Sequence, residues 1–106
     1  AAGSNGWLRR EVDEETVRRS DLVVADDLDD AKAEAGDLIW AAERRAFRWE
    51  QAVELRDVVS GRVSGRPWPE AITLFESQGL AIEDVAAGMH VYRKAMEQGL
   101  GRSVEL

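Results

Sequence analysis

The run Asp21-Leu22-Val23-Val24-Ala25-Asp26-Asp27 decides the fold. Four consecutive apolar residues stand between charged ends, with no polar residue alternating among them. A strand with one wet face alternates. A continuous run reads as a short strand buried on both faces, as in a parallel sheet. Upstream, Asp13 caps a predicted short helix through Glu14, Glu15, Thr16, Val17, Arg18 and Arg19, with acids in the first turn and arginines in the last, as the helix dipole favours. Downstream, Asp26 and Asp27 lead into a helix with Leu28, Ala31 and Ala35 on one side. Gly36 interrupts it, and Asp37 can cap a further turn or two through Leu38, Ile39 and Trp40. Helix, strand, helix is the opening of an α/β architecture.

Further out, Arg44 to Trp49 reads as a connection. An amphipathic helix is predicted from about Glu50 to Ser60, with Val53, Leu55, Val58 and Val59 apolar and Gly61 as its stop. Gly65, Pro67 and Pro69 make residues 62–69 a loop. Ile72-Thr73-Leu74-Phe75 is a second strand candidate. The longest helix is predicted from about Leu80 to Gln98, where Ile82, Val85, Met89, Tyr92 and Met96 form one core-facing stripe. Gly99 and Gly101 end it, and Ser103-Val104-Glu105-Leu106 can add a final strand. Two strands do not make a self-sufficient sheet, so these elements read as part of a larger α/β layer.

Composition bounds the function. The 106 residues form one small domain, 1–106, with one core. A net charge of −7, with 21 acids against 14 Lys and Arg, argues against nucleic-acid and anionic-membrane partners. No apolar run approaches the roughly 18–20 residues of a bilayer-spanning helix. Ala1-Ala2-Gly3-Ser4-Asn5-Gly6 has neither the charged nor the apolar part of a signal peptide. The absence of cysteine removes disulfides, thiolate zinc sites and cysteine nucleophiles together, and fits a cytoplasmic setting.

Few residues offer chemistry unaided. Asp26, Asp27, Asp29 and Asp30 lack the glycine and distal glutamate of a calcium loop, so helix capping on a solvated face is the better reading and no metal site is expected. His90 stands alone on the long helix without a second ligand or a nucleophile, and reads as structural. Arg62 and Arg66 flank a glycine-rich loop and could meet a carboxylate or phosphate, with surface solvation the simpler role. Trp7, Trp40, Trp49 and Trp68 are too scattered for a base-stacking platform and suit edges or an interface. GxGxxG, GxxxxGK[ST] and GxSxG are all absent, so the chain has no phosphate cradle or nucleophile elbow of its own.

Three segments together resemble the C-terminal part of the ornithine cyclodeaminase/mu-crystallin family. The first is Gly3-Ser4-Asn5-Gly6-Trp7-Leu8-Arg9-Arg10-Glu11-Val12, similar to that family's glycine turn, reactive position, basic residue and Glu-Leu. The second and most specific is Ile72-Thr73-Leu74-Phe75-Glu76-Ser77-Gln78-Gly79-Leu80-Ala81-Ile82-Glu83-Asp84-Val85, similar to its strand, Ser-x-Gly loop and following helix. The third is the closing Gly99-Leu100-Gly101.

The resemblance implies the late strands and helices of a partial Rossmann-like domain, with a long C-terminal helix and a fold completed by oligomerisation. It implies NAD or NADP in the intact family fold, and leaves open whether this chain alone binds either. The implied chemistry is hydride transfer on amino acids or cyclic imines, as cyclodeaminase, imine reductase or amino-acid dehydrogenase. Asn5 stands at the family's acid/base position. An amide does not exchange a proton near neutral pH, so the substitution favours a reductase or dehydrogenase over a cyclodeaminase. Arg9, Ser77, Gln78 and Gly79 fall at cofactor-binding positions, Gln78 where a small apolar residue is typical. The chain is expected to be a C-terminal fragment, inactive alone and at least a dimer. The alternative is a free-standing, non-catalytic module that acts by self-association or partner binding.

Overall fold

The computed structural model describes residues 1–3, 6–102 and 104. Its centre is a three-stranded parallel sheet in the order β2-β1-β3, built from β1 (Leu22–Ala25), β2 (Ala52–Glu54) and β3 (Thr73–Glu76). The apolar run is the middle strand, which is why it needs no polar alternation. Val23 pairs with Ala52 on one side and Leu74 on the other, and Ala25 with Glu54 and Glu76. Partners in register share a face, so one face carries Val23, Ala25, Ala52 and Leu74, with Glu54 and Glu76 at its C-terminal rim.

Helices cover that face. α1 (Glu14–Arg19) is capped by Asp13, whose carboxylate accepts from Thr16 N. α2 (Leu28–Glu34) is capped by Asp27, and α3 (Gly36–Glu43) follows after Ala35. Val17, Ala31, Ala35, Leu38, Ala41 and Phe47 meet the sheet face in one buried cluster. Each large side chain fully buried there contributes about 1.5–3 kcal/mol. The alanines bring α2 and α3 close to the sheet.

Gly36 is the most closely approached of the glycines. A Cβ there would collide with the Arg9 carbonyl oxygen and lie 2.9 Å and 3.0 Å from those of Trp7 and Gly6. The N-terminal loop is therefore seated on the start of α3. Asp37 does not cap α3 in the predicted sense. Its carboxylate, 3% exposed, accepts from Glu11 N (2.9 Å) and Val12 N (3.2 Å) and ties the loop down. Arg10 and Arg44 sandwich the Trp40 ring, each guanidinium 4.0 Å from its centre.

Two expectations are corrected. The helix predicted over Glu50–Ser60 is a 3₁₀ turn (Trp49–Gln51), then β2, then a short α4 (Leu55–Val59). Ala52 and Val53 gain more by pairing with β1 than by continuing a helix, and Glu54 turns back to accept from Leu28 N and to pair with Arg56. The second correction concerns α5 (Ala81–Glu97), which has no buried residue. Ile82, Val85, Met89, Tyr92 and Met96 are exposed, so the stripe faces no core within this chain. The radius of gyration is 17.4 Å, against about 13 Å for a compact chain of this length, because α5 stands clear of the sheet. The final strand predicted over Ser103–Leu106 lies largely outside the described residues, and Val104 itself is irregular.

Candidate functional site

The C-terminal ends of β1 and β3 are neighbours in the sheet, and each runs into a polar residue. In open α/β sheets this edge is where ligands bind. After β1 comes Asp26, which is 5% exposed and so is not part of the solvated capping face foreseen for the acidic run. Asp27 does cap α2, accepting from Asp29 N (2.8 Å) and Asp30 N (3.0 Å), and those bonds hold its carboxyl below the usual range. Asp26 points the other way. Its Oδ2 accepts from Ser77 Oγ (3.0 Å), Gln78 N (2.8 Å) and Gly79 N (2.7 Å), while Oδ1 accepts from Asp27 N (2.9 Å).

One buried carboxylate thus organises the whole Ser77–Gly79 turn. Gly79, at φ +88, takes a left-handed conformation that costs a residue with a Cβ, and space lies open around its Cα. The turn's hydroxyl and two of its N–H groups are committed to Asp26. What it can offer a ligand is carbonyl oxygen and the open side of Gly79.

The N-terminal residues join this edge. Ala1 N donates to Phe75 O at 2.8 Å and Ser77 N donates to Ala1 O at 2.9 Å, the pattern of a parallel strand beside β3. Gly3 N then donates to Glu11 Oε2 at 2.7 Å. Ala1, two residues ahead of the first segment, therefore meets the second segment at Ser77. Asn5 lies outside the described residues. Arg9 is exposed on a turn closed by its own N–H to Gly6 O (2.7 Å), with its carbonyl against Gly36. Ser77, Gln78 and Gly79 are brought together in one turn.

Sequence reasoning missed two residues here. The sequence groups Asp26 with its acidic neighbours, and the strand candidate Ile72-Thr73-Leu74-Phe75 stops one residue short of Glu76. Glu76 is 1% exposed. Burial, and next the charge of Asp37, push its carboxyl up to about 7. The legible signal was position: each is the first polar residue at the end of an apolar strand. His90 is exposed on α5, while Arg66 donates to Ala71 O and Thr73 Oγ1 and Arg62 pairs with Asp57, so the arginines tie down the loop before β3.

A parallel sheet with helices on one face and a polar turn at its carboxyl edge defines a Rossmann-like layer. The chain belongs to the ornithine cyclodeaminase/mu-crystallin family, which it matches over residues 1–99. It is 32% identical over 106 residues to a Delta(1)-pyrroline-2-carboxylate reductase of Bacillus cereus, covering 99% of this chain and 33% of that protein. It is 34% identical to an alanine dehydrogenase of Archaeoglobus fulgidus, covering 99% and 32%. The structure of Thermococcus litoralis Delta(1)-pyrroline-2-carboxylate reductase in complex with NADH and L-proline superposes with a TM-score of 0.80 at 40% identity, covering 93% of this chain and 31% of that one. The iminosuccinate reductase of Paracoccus denitrificans in complex with NAD+ gives 0.80 at 26% identity, covering 100% and 32%. The chain spans about a third of the length of these relatives.

Proposed function

We propose that this chain forms one side of the site of an NAD(P)-dependent enzyme that acts on amino acids or cyclic imines by hydride transfer. The observation that carries the reading is the Asp26-anchored Ser77–Gln78–Gly79 turn at the carboxyl edge of the sheet, beside Ala1. The likeness to reductases whose structures hold NADH or NAD+ supports it. The residues present fit one end of the cofactor. A nicotinamide carboxamide carries N–H donors, which suit the carbonyl oxygens the turn has left to offer. The pyrophosphate is not provided for, since no glycine-rich phosphate loop occurs in the sequence.

When bound, the nicotinamide supplies or accepts the hydride. The protein's own part is positioning. Gly79 leaves room beside the turn, and Arg9 supplies a cation for the cofactor side. Asn5 hydrogen-bonds substrate without exchanging a proton, which favours imine reduction or amino-acid oxidation over deaminating cyclisation. The chain reads as one domain, the C-terminal third of such an enzyme, and is inactive by itself.

Tryptophan fluorescence during titration with NADH, NADPH and proline tests the binding reading, because Trp7 lies two residues from Asn5. Amino-acid-dependent NAD(P) reduction should be absent for residues 1–106 and present in a longer reading frame that supplies a GxGxxG segment. Turnover by the 106 residues alone contradicts the inactive-alone part. Failure of the longer protein to bind either nucleotide contradicts the whole reading. The exposed stripe on α5 favours a second reading, a module that acts through self-association as at least a dimer.

A further inference from the structure

Glu76 and Gln78 stand on either side of Ser77, and their side chains meet. Gln78 Nε2 donates to Glu76 Oε1 at 3.2 Å. The second carboxyl oxygen, Glu76 Oε2, and the amide oxygen, Gln78 Oε1, are buried and have no donor among the described residues. A carboxylate and an amide joined in this way can form one hydrogen bond. A carboxylic acid and a primary amide can form two, because the acid O–H donates to the amide oxygen while the amide N–H donates to the acid carbonyl. A single proton therefore satisfies both oxygens at once. We propose that Glu76 and Gln78 form a carboxylic acid–carboxamide pair closed by one proton on Glu76, and that this proton fixes the Gln78 side chain on the turn that Asp26 holds.

The surroundings favour the neutral acid. Burial disfavours the ionised form of Glu76 first, and the like charges of Asp37, from the start of α3, and then of Glu11, from the N-terminal loop, add to that. The Gln78 amide acts in the opposite sense and is outweighed. Gln78 is then pinned twice, by its backbone N–H to Asp26 and by its side chain to Glu76. Loss of the proton removes one of the two bonds and leaves only Gln78 Nε2 donating to Glu76 Oε1, so the side-chain pin is weakened. The turn thereby senses pH near neutrality, whatever it binds.

The test is NMR of the 106-residue chain with labelled Glu and Gln side chains, from about pH 5 to about pH 9. Glu76 Cδ should report a carboxylic acid at the acid end and titrate with a midpoint near 7. The Gln78 side-chain NH2 and the Gly79 amide should shift with the same midpoint. Glu76→Gln replaces the acid O–H with an amide N–H, so Gln78 should keep its low-pH signals over the whole range. Glu76→Ala should place them at the high-pH position throughout. If that variant does not fold, wild type and Glu76→Gln decide the matter. A Glu76 that is already ionised at about pH 6 overturns the proposal. So does a Gln78 whose signals ignore the titration, or one that still titrates in Glu76→Gln.

Discussion

Asp26 and Glu76 show how one ionisable side chain at a strand end can shape a turn it does not belong to. Asp26→Ala removes the acceptor of Ser77 Oγ and of the Gln78, Gly79 and Asp27 amides. We expect a loss of about 3 kcal/mol, since several partly buried donors lose their partner together. Asp26→Asn keeps one acceptor oxygen and should lose about half as much; urea midpoints check both. For Glu76 the sign runs opposite to that of most carboxylates. Burial first, and Asp37 second, raise it from the usual 4.5 to about 7, so the folded chain holds a proton that the unfolded chain has released. Its contribution is full below the unfolded value, declines as pH rises toward 7 and is lost above. The total is on the order of 2 kcal/mol. Stability measured by urea between about pH 5 and about pH 8 should fall in wild type and stay flatter in Glu76→Gln. None of this was legible from residue type alone. Asp26 is one of four aspartates within five positions, and its place directly after the apolar run, not its residue type, separates the one that turns inward.

The elements divide along the same line. β1, α1 and α2 follow from local rules, because an apolar run and aspartate caps act within a few residues of themselves. β2 does not, because Ala52–Glu54 becomes a strand only through its parallel partner β1, a contact no sequence window contains. The helix ends carry two predictions. α3 and α5 finish in the same motif: Ala46 N bonds to Ala41 O and Arg45 N to Ala42 O in one, Leu100 N to Ala95 O and Gly99 N to Met96 O in the other. The left-handed residue is Gly99 at φ 64 in α5 but Arg45 at φ 62 in α3. Arg45→Gly should therefore stabilise the chain by up to about 1 kcal/mol, read as a rise in thermal midpoint. Gly36→Ala should do the reverse. Alanine is normally the better helix residue by about 1 kcal/mol, yet here its Cβ must displace the Gly6–Arg9 turn. A net loss of about 2 kcal/mol is expected, and an unchanged midpoint would mean the loop is not seated on α3.

At the scale of the molecule, the sheet and its covering helices form one body and α5 another direction in space, 55 Å being the longest dimension of the whole. The amphipathic pattern of α5 was legible, but not what it faces. Periodicity reports that a helix has an apolar side and says nothing of where the opposing surface comes from. Helices without tertiary packing are marginal in water, so the stripe of Ile82, Val85, Met89, Tyr92 and Met96 should be covered in solution. Light scattering at micromolar concentration should give at least a dimer, and Val85→Lys with Met89→Lys should shift the chain toward monomer. A wild-type chain that stays monomeric would refute self-association. The same geometry has an optical consequence. The single tyrosine, Tyr92, rides on α5, while all four tryptophans precede the helix in the sheet-bearing part of the chain. Excitation energy passing from Tyr92 to those indoles is a built-in ruler between helix and body, read without a label. Transfer that rises on dilution would show the helix folding back onto its own sheet when it loses its partner.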